Sequence, residues 1–499
     1  MSTAPVLQQS RFARFTIGVR RDPGVAIILG VFALIFGLLL SLDLYRPMFQ
    51  RVHANDPVGY FVWLRSPLFD GDFQFENEYR YLNSHIDTRL TGWADPDAPR
   101  TPTGHTPNYF ALGSAMLWSP FVMAVHPIAP FLGGKQDGLS QPYHMAIFFA
   151  VTFYGLASIL LLYRLLRRMY PWTVSVVAAL AAWGASPMLF YTFPDGAMSH
   201  TCSMFAMCLF VYTWLRWRDH PSAMAWLLIG LSLGLATLTR WQNVTYAIVL
   251  CADVAMRFSP AAFRRLCAAG VGTIIGFVPQ MIGWYIVYGS AITMPQGPDF
   301  VHWTAPDFWA FFFGAPYGLF SWTPYCAVGV AGLFVARRNL RPIYIALAIG
   351  LAVQFYVNAC LYEAGWTFGM RRMDNAIPAF ALGIAAFHSA IQKPWQRRAF
   401  ASTAIIAVVW NFLFVLQYAG YLDGLYIDCA YEQLSRETGI PVSELEKPDA
   451  LPNGMSSAEF VYDSLFPRGS GPSFDQFTWD KLLVLQKLAH DFLGTPAPK

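Results

Sequence analysis

The chain has 499 residues, of which 55% are hydrophobic and only 13% charged, against about 25% charged in an ordinary soluble domain. This excludes a large water-soluble enzyme. The formal net charge of +4 is small, and Lys and Arg stand at the ends of apolar blocks rather than on one face, so no surface for nucleic acid is predicted.

The apolar residues fall in blocks of roughly 18 to 23, the length needed to cross a hydrocarbon core of about 30 Å. They predict an all-α polytopic membrane protein of eleven spans, at 24–42, 144–163, 174–193, 198–215, 223–239, 242–256, 266–288, 316–336, 342–361, 374–391 and 399–418. The amino-terminal segment 1–23 is basic (Arg11, Arg14, Arg20, Arg21), and the run after it is too long for a signal-peptide core. It reads as an uncleaved first helix with a cytoplasmic start.

Cations set the orientation, because short cytoplasmic loops hold excess Lys and Arg. With the amino terminus inside, Arg164/Arg167/Arg168, Arg216/Arg218, Arg257/Arg264/Arg265, Arg337/Arg338/Arg341 and Lys393/Arg397/Arg398 join the first four on the inner side, eighteen of the chain's 34. The segment 110–132 is apolar but carries internal prolines and a histidine. Counted as a span it would put Arg164, Arg167 and Arg168 outside, so it is expected to form helices lying on or dipping into the outer face. The result is a transmembrane domain over 24–420 with a first periplasmic loop at 43–143, and a small outer segment at 421–499 with charged helical pieces. Six of the seven cysteines lie in or beside apolar blocks without metal-ligand spacing, and only Cys429 is clearly in a polar segment; small core residues are expected, and no disulfide framework.

The outer segments carry the chemistry. The first loop reads SPLFDGDFQFENEYRYL, gathering Asp70, Asp72, Glu76, Glu78 and Arg80. Gly71 permits a tight turn, so the carboxylates of Asp70 and Asp72 can converge on a proton or a divalent cation. A solvated acidic loop is the competing reading, but the alternating Phe69, Phe73, Phe75, Tyr79 and Tyr81 make the segment half apolar, and carboxylates in such surroundings have the perturbed acidity of a general base. The next outer loop, FPDGAMSH, holds Asp195 and His200; a turn aspartate and a helix cap are their plainer roles. Arg240 follows in LTRWQN, at a depth where charge faces a polar cavity or a partner unless it snorkels to the interface. Later come His302 and Trp303 in FVHWTAPDF, Tyr317 in GAPYGLFSWTP, and Arg371, Arg372 and Asp374 in MRRMDNAIP. Adjacent arginines on the outer face run against the charge trend and ask for an anion, for which a phosphate suits bidentate guanidinium, although pairs with Asp374 or Glu363 would also satisfy them. An acid pair with a phosphate clamp at a bilayer surface describes transfer from a lipid-linked phosphate donor.

Four landmarks carry a family resemblance: Asp70-Gly71-Asp72, the amphipathic stretch HTPNYFALGSAMLWSPF that begins at His105, FPDGAMSH, and the late outer basic residues. Over about 20–420 the chain resembles the GT-C-type polyprenyl-phosphate-sugar glycosyltransferases, the membrane superfamily of bacterial aminoarabinose transferases and protein O-mannosyltransferases. The resemblance implies a GT-C-like bundle with juxtamembrane helices in the first loop, set in a bacterial inner membrane. It implies inverting transfer of a hexose or pentose from a polyprenyl-phosphate-linked donor to a glycolipid, glycan or protein acceptor, without a certain cofactor. Carried over, Asp70 or Asp72 is the base, Asp195 a second acid, and Arg240, Arg371 and Arg372 bind donor phosphate; Glu78, Arg80, His105, His200, His302, Trp303 and Tyr317 line the substrate site. A lipid-linked sugar flippase or transporter is the chief rival, but transporters place ionisable groups near the midplane and show internal repeats, whereas here charges lie at span ends and no repeat is seen. An O-antigen ligase or polymerase would carry its large loop late in the chain rather than first.

Overall fold

A computed structural model describes residues 22–45, 52, 55–85, 94–314, 317–361 and 368–422. In chain order the helices are α1 (Pro23–Tyr45), α2 (Asn55–Arg65), α3 (Glu76–His85), α4 (Gly113–Val125), α5 (Gln141–Leu166), α6 (Trp172–Gly184), α7 (Met188–Thr192), α8 (His200–Trp217) and α9 (Ala223–Thr239). They continue with α10 (Ala247–Ala255), α11 (Pro260–Tyr288), α12 (Phe308–Phe313), α13 (Leu319–Trp322), α14 (Tyr325–Phe334), α15 (Arg341–Ala359), α16 (Ile377–Ala390) and α17 (Pro394–Leu422). Among the described residues the regular structure is all helical, as backbone polar groups inside a bilayer require. Six helical stretches are long and apolar enough to cross a membrane: Pro23–Ser41, Gly113–Leu132, Gln141–Leu166, Pro260–Tyr288, Arg338–Ala359 and Pro394–Leu416. Each of the eleven predicted blocks holds helix, but not eleven unbroken spans. The block 174–193 breaks after Gly184, before Pro187; the block 316–336 breaks before Pro324; and the block 242–256 opens on the 3-10 turn Trp241–Tyr246. The prolines explain two of these breaks, since each lacks a backbone N–H and disfavours helical conformation in the residue before it. Apart from the end of α17, the segment 421–499, with Cys429, lies outside the described residues, as does Glu363.

Contacts at the helix ends sort the bundle. At one end Tyr163 donates to Asp22 Oδ1 at 2.5 Å, and Arg168 lies over the ring of Tyr212. There too Asp253, fully buried, receives Arg218 Nη2 at 2.5 Å, Arg257 Nη2 at 2.6 Å and Trp214 Nε1 at 3.0 Å. The opposite end holds Ser199, Arg240 and Asp374. The apolar stretch Gly113–Leu132 packs along α5: Gly113 lies on the backbone of Leu238 and Thr239, Leu117 O accepts from the Tyr154 hydroxyl at 2.9 Å, and His126 Nδ1 lies 2.8 Å from the Tyr143 hydroxyl.

Where helices cannot be driven together by expelling water, small residues let backbones approach. Gly230 and Gly234 on α9 meet Gly272 and Gly276 on α11; a Cβ on Gly234 would stand 2.5 Å from Thr273 O and 2.8 Å from Gly276 Cα. Gly329 and Gly332 on α14 face Gly383 on α16 in the same way. These pairs fix the ends of α9 and α16, from which the site is built.

Candidate active site

Asp70 and Asp72 do not converge. Gly71 takes the left-handed conformation, with φ 75°, and ends the π turn Ser66–Asp70, and the flanking carboxylates take separate partners. Asp70 is ion-paired with Arg65 and receives Asn77 Nδ2 at 2.8 Å, while Asp72 Oδ1 accepts from Ser66 Oγ at 2.6 Å and from the Gln74 amide at 3.0 Å. Arg65 also holds Glu78 at 3.0 Å. Glu78 is wholly buried, its Oε2 has no partner among the described residues, and burial pushes its carboxyl up to about 7. Arg80 pairs with Glu76 at 2.9 Å and Asp97 at 2.5 Å on the open face of α3, and His105 Nδ1 lies 2.9 Å from the Thr103 hydroxyl. Through Thr103, whose hydroxyl donates to Val287 O, this first-loop network is tied to the end of α11. Among the described residues no group of three or more His, Cys, Asp or Glu side chains is placed to hold a metal ion.

A second constellation is built by four elements that meet at one end of the bundle. The first turn of α2 supplies Asp56, whose Oδ2 lies 3.2 Å from Arg371 Nη2. The turn Phe193-Pro194-Asp195-Gly196 between α7 and α8 supplies Asp195. It is buried, its Oδ1 has no partner among the described residues, and it stands near enough to Arg371 and Asp56 to feel both charges. Burial is the largest influence on it and pushes its carboxyl up to about 7. Arg240, at the end of α9, points back across the start of α8, with Nη1 3.1 Å from Ser199 Oγ and from His200 Nδ1. The 3-10 segment Arg371–Ala376 adds Asp374, wholly buried, with Oδ2 2.8 Å from His200 Nδ1 and 3.5 Å from Arg240 Nε, and Oδ1 accepting from Ser203 at 3.2 Å.

Arg372 shares that segment. Its guanidinium lies over the ring of Phe300 and its carbonyl accepts from Gln242 Nε2 at 2.7 Å. Asp374 is thus tied to Arg240 and His200. His302 and Trp303 are exposed and tied to the end of α15, through the His302 amide to Cys360 O at 2.9 Å and Tyr356 Oη to Trp303 O at 2.5 Å. Tyr317 is half-buried beside α13.

Of the residues singled out from the sequence, Asp195, His200, Arg240 and Arg371 come together, and Arg372 sits beside them. Asp70, Asp72, Glu78, Arg80 and His105 belong to the first-loop network. Asp56, Tyr60 and Ser199 were not singled out. The signal available for Asp56 was its place at the start of a short helix with Tyr60 one turn later, so that the two share a face. Chemically the site offers one carboxylate against an arginine, one buried carboxyl with an open oxygen, and a fixed guanidinium, which suits handling a proton beside an anion.

Residues 139–284, which include Asp195, His200 and Arg240, match the family model of dolichyl-phosphate-mannose-protein mannosyltransferases. No curated protein matches the chain. Among solved structures it is similar to the apo oligosaccharyltransferase of Archaeoglobus fulgidus, at 16% identity and TM-score 0.47 over 85% of this chain and 58% of that one. It is also similar to ArnT from Cupriavidus metallidurans bound to undecaprenyl phosphate, at 16% identity and TM-score 0.48 over 94% of this chain and 77% of that one. The chain spans less than two thirds of the archaeal protein's length. By its all-helical membrane architecture and the match over 139–284, the chain resembles the GT-C-type glycosyltransferases.

Proposed function

We propose that the chain is a membrane glycosyltransferase that moves a hexose or pentose from a polyprenyl-phosphate donor to a glycolipid, glycan or protein acceptor, and that Asp56 is its base. The observation that carries this is the Asp56–Arg371 pair beside the buried Asp195. Asp56 keeps 29% of its side-chain surface open and can meet an acceptor hydroxyl, while Asp195, protonated below about pH 7, can donate a hydrogen bond. Two acids whose surroundings separate their protonation states divide the work.

In the proposed reaction the acceptor oxygen attacks the anomeric carbon from the side opposite the phosphate. The C–O bond to the acceptor forms as the C–O bond to the phosphate breaks, which inverts that carbon. Asp56 takes the hydroxyl proton and polyprenyl phosphate departs as the anion. Arg371 and Arg372 offer guanidinium donors to that phosphate as its charge grows. The site is assigned to the non-cytoplasmic face, since Arg167, Arg218 and Arg257 stand at the opposite end of the bundle, where the excess of cations belongs inside. The amino terminus is then cytoplasmic.

The test uses membrane vesicles supplied with the host's own polyprenyl-phosphate-sugar pool and a labelled sugar. Wild-type protein should label membrane glycan or protein, and Asp56→Asn should slow labelling by at least ~10²-fold while the protein stays folded. Undiminished labelling by Asp56→Asn sinks the reading.

A further inference from the structure

Arg240 and Arg371 are both guanidinium groups at the site, but they are held very differently. The two are equally buried, with side chains 15% and 14% exposed, but Arg240 has Nη1 3.1 Å from both Ser199 Oγ and His200 Nδ1 and an Nε that stands 3.5 Å from the buried Asp374 as an ion pair without a hydrogen bond. Asp374 is wholly buried and has Arg240 as its cation, so an anion that drew Arg240 away would leave that carboxylate unpaired. Arg371 faces Asp56, whose carboxylate is partly open, and there a phosphate can compete.

The chain of bonds does not stop at Arg240. Ser199 accepts from Arg240 and passes its own hydroxyl hydrogen to Tyr60 Oη at 2.9 Å. Tyr60 stands one helical turn after Asp56 on α2, on the same face. At the far end, Asp374 and Arg371 belong to one short 3-10 segment, Arg371–Ala376. The contacts therefore close a circuit: Asp56 to Arg371, along the segment to Asp374, to Arg240, to Ser199, to Tyr60, and back along α2 to Asp56. The segment is pinned again behind Asp374, where Asn375 Nδ2 donates to Asn243 Oδ1 and to Gln354 Oε1, each at 2.9 Å.

Resting on the glycosyltransferase reading above, we infer that Arg240 and Asp374 are positioning residues that set Asp56 through Ser199 and Tyr60, and that recognition of the donor phosphate falls to Arg371, with Arg372 beside it, and not to Arg240. A circuit of this kind matters because misplacing a base by about 1 Å can cost on the order of a hundredfold in rate. A purely structural ion pair would hold the helices together but would not separate turnover from phosphate affinity.

The experiment uses the full chain in nanodiscs, with undecaprenyl phosphate as the binding probe, and in vesicles with the host's sugar-loaded polyprenyl phosphate for turnover. Arg371→Gln should weaken undecaprenyl phosphate binding at least tenfold. Arg240→Gln, Asp374→Asn and Tyr60→Phe should leave the Kd within about threefold of wild type and lower kcat at least tenfold. Tyr60→Phe removes one hydroxyl and keeps the ring, so it tests the circuit even if the two charge variants fail to fold, and Arg240→Lys, which keeps the Asp374 pair, should recover part of kcat. Arg240→Gln weakening the Kd as much as Arg371→Gln, or Tyr60→Phe turning over like wild type, overturns the inference. Wild-type protein that does not bind undecaprenyl phosphate overturns the donor assignment itself, a separate failure read before any variant is compared.

Discussion

Arg371 reaches across the site from the segment before α16 to Asp56 on α2, Nη2 to Oδ2 at 3.2 Å, and so joins an early loop to the last third of the chain. That contact singles out Asp56 among the acids of the first loop.

Asp56→Asn should therefore lower turnover by at least ~10²-fold, the usual size of a general-base contribution, with little change in unfolding temperature. Asp70→Asn and Asp72→Asn should lower turnover less than tenfold, because their carboxylates serve Arg65, Asn77, Ser66 and the Gln74 amide. Initial rates of sugar transfer in vesicles decide between the two sets.

Asp195 makes stability depend on pH in a defined direction. Its carboxyl titrates at about 7 in the folded protein, against about 3.9 for an unfolded chain. Between those values the folded state keeps a proton that the unfolded state has lost, so this group's contribution is full below about pH 4 and falls as pH rises towards 7, by at most about 1.4 kcal/mol per pH unit. Glu78, also at about 7, acts in the same direction. Thermal unfolding in detergent at pH 5 and pH 8 should show a smaller loss for Asp195→Asn than for wild type. An equal or larger loss in the variant would overturn the assignment.

At the other end of the bundle, Asp253→Ala leaves Arg218 and Arg257 without their buried counter-ion. Removing one partner of a buried pair costs about 3–5 kcal/mol, so the variant should unfold well below wild type. Donor affinity of whatever fraction stays folded should not change, as Asp253 lies at the end opposite the site. Thermal unfolding and undecaprenyl phosphate binding separate the two effects.

Gly234→Val should be more damaging than any loop substitution. Its side chain would enter the backbone of α11 at Thr273 and Gly276, where no flexible side chain can move aside. The expected result is loss of monodisperse protein on size-exclusion chromatography, with Gly270→Val, whose added Cβ meets nothing within 4 Å, as the tolerated control.

The helices were legible because membrane spans are written as local apolar blocks, and each predicted block holds helix. Their interruptions were harder to read, because a proline such as Pro187 or Pro324 breaks some helices and bends others according to its neighbours. Asp195, Arg240 and Arg371 stood out as charges at block ends. Asp56 did not, since a lone aspartate before Pro57 looks like a helix start, and its ion-pair partner Arg371 is distant in sequence. Asp70 and Asp72 drew notice through adjacency, yet one carboxylate is held by Arg65 and the other by Ser66. Adjacency in sequence is a poor guide to convergence of side chains.

The glycine contact between α9 and α11 acts as a depth gauge. α9 ends immediately before Arg240, and α11 ends at Tyr288, whose hydroxyl donates to Asn108 O at 2.8 Å in the surface loop. With backbones touching, neither helix can slide along the other, so Arg240 and that loop keep one vertical offset. A thicker or thinner bilayer must then be met by tilting the pair as a unit, and the level at which charge meets a lipid headgroup stays constant from one membrane to another.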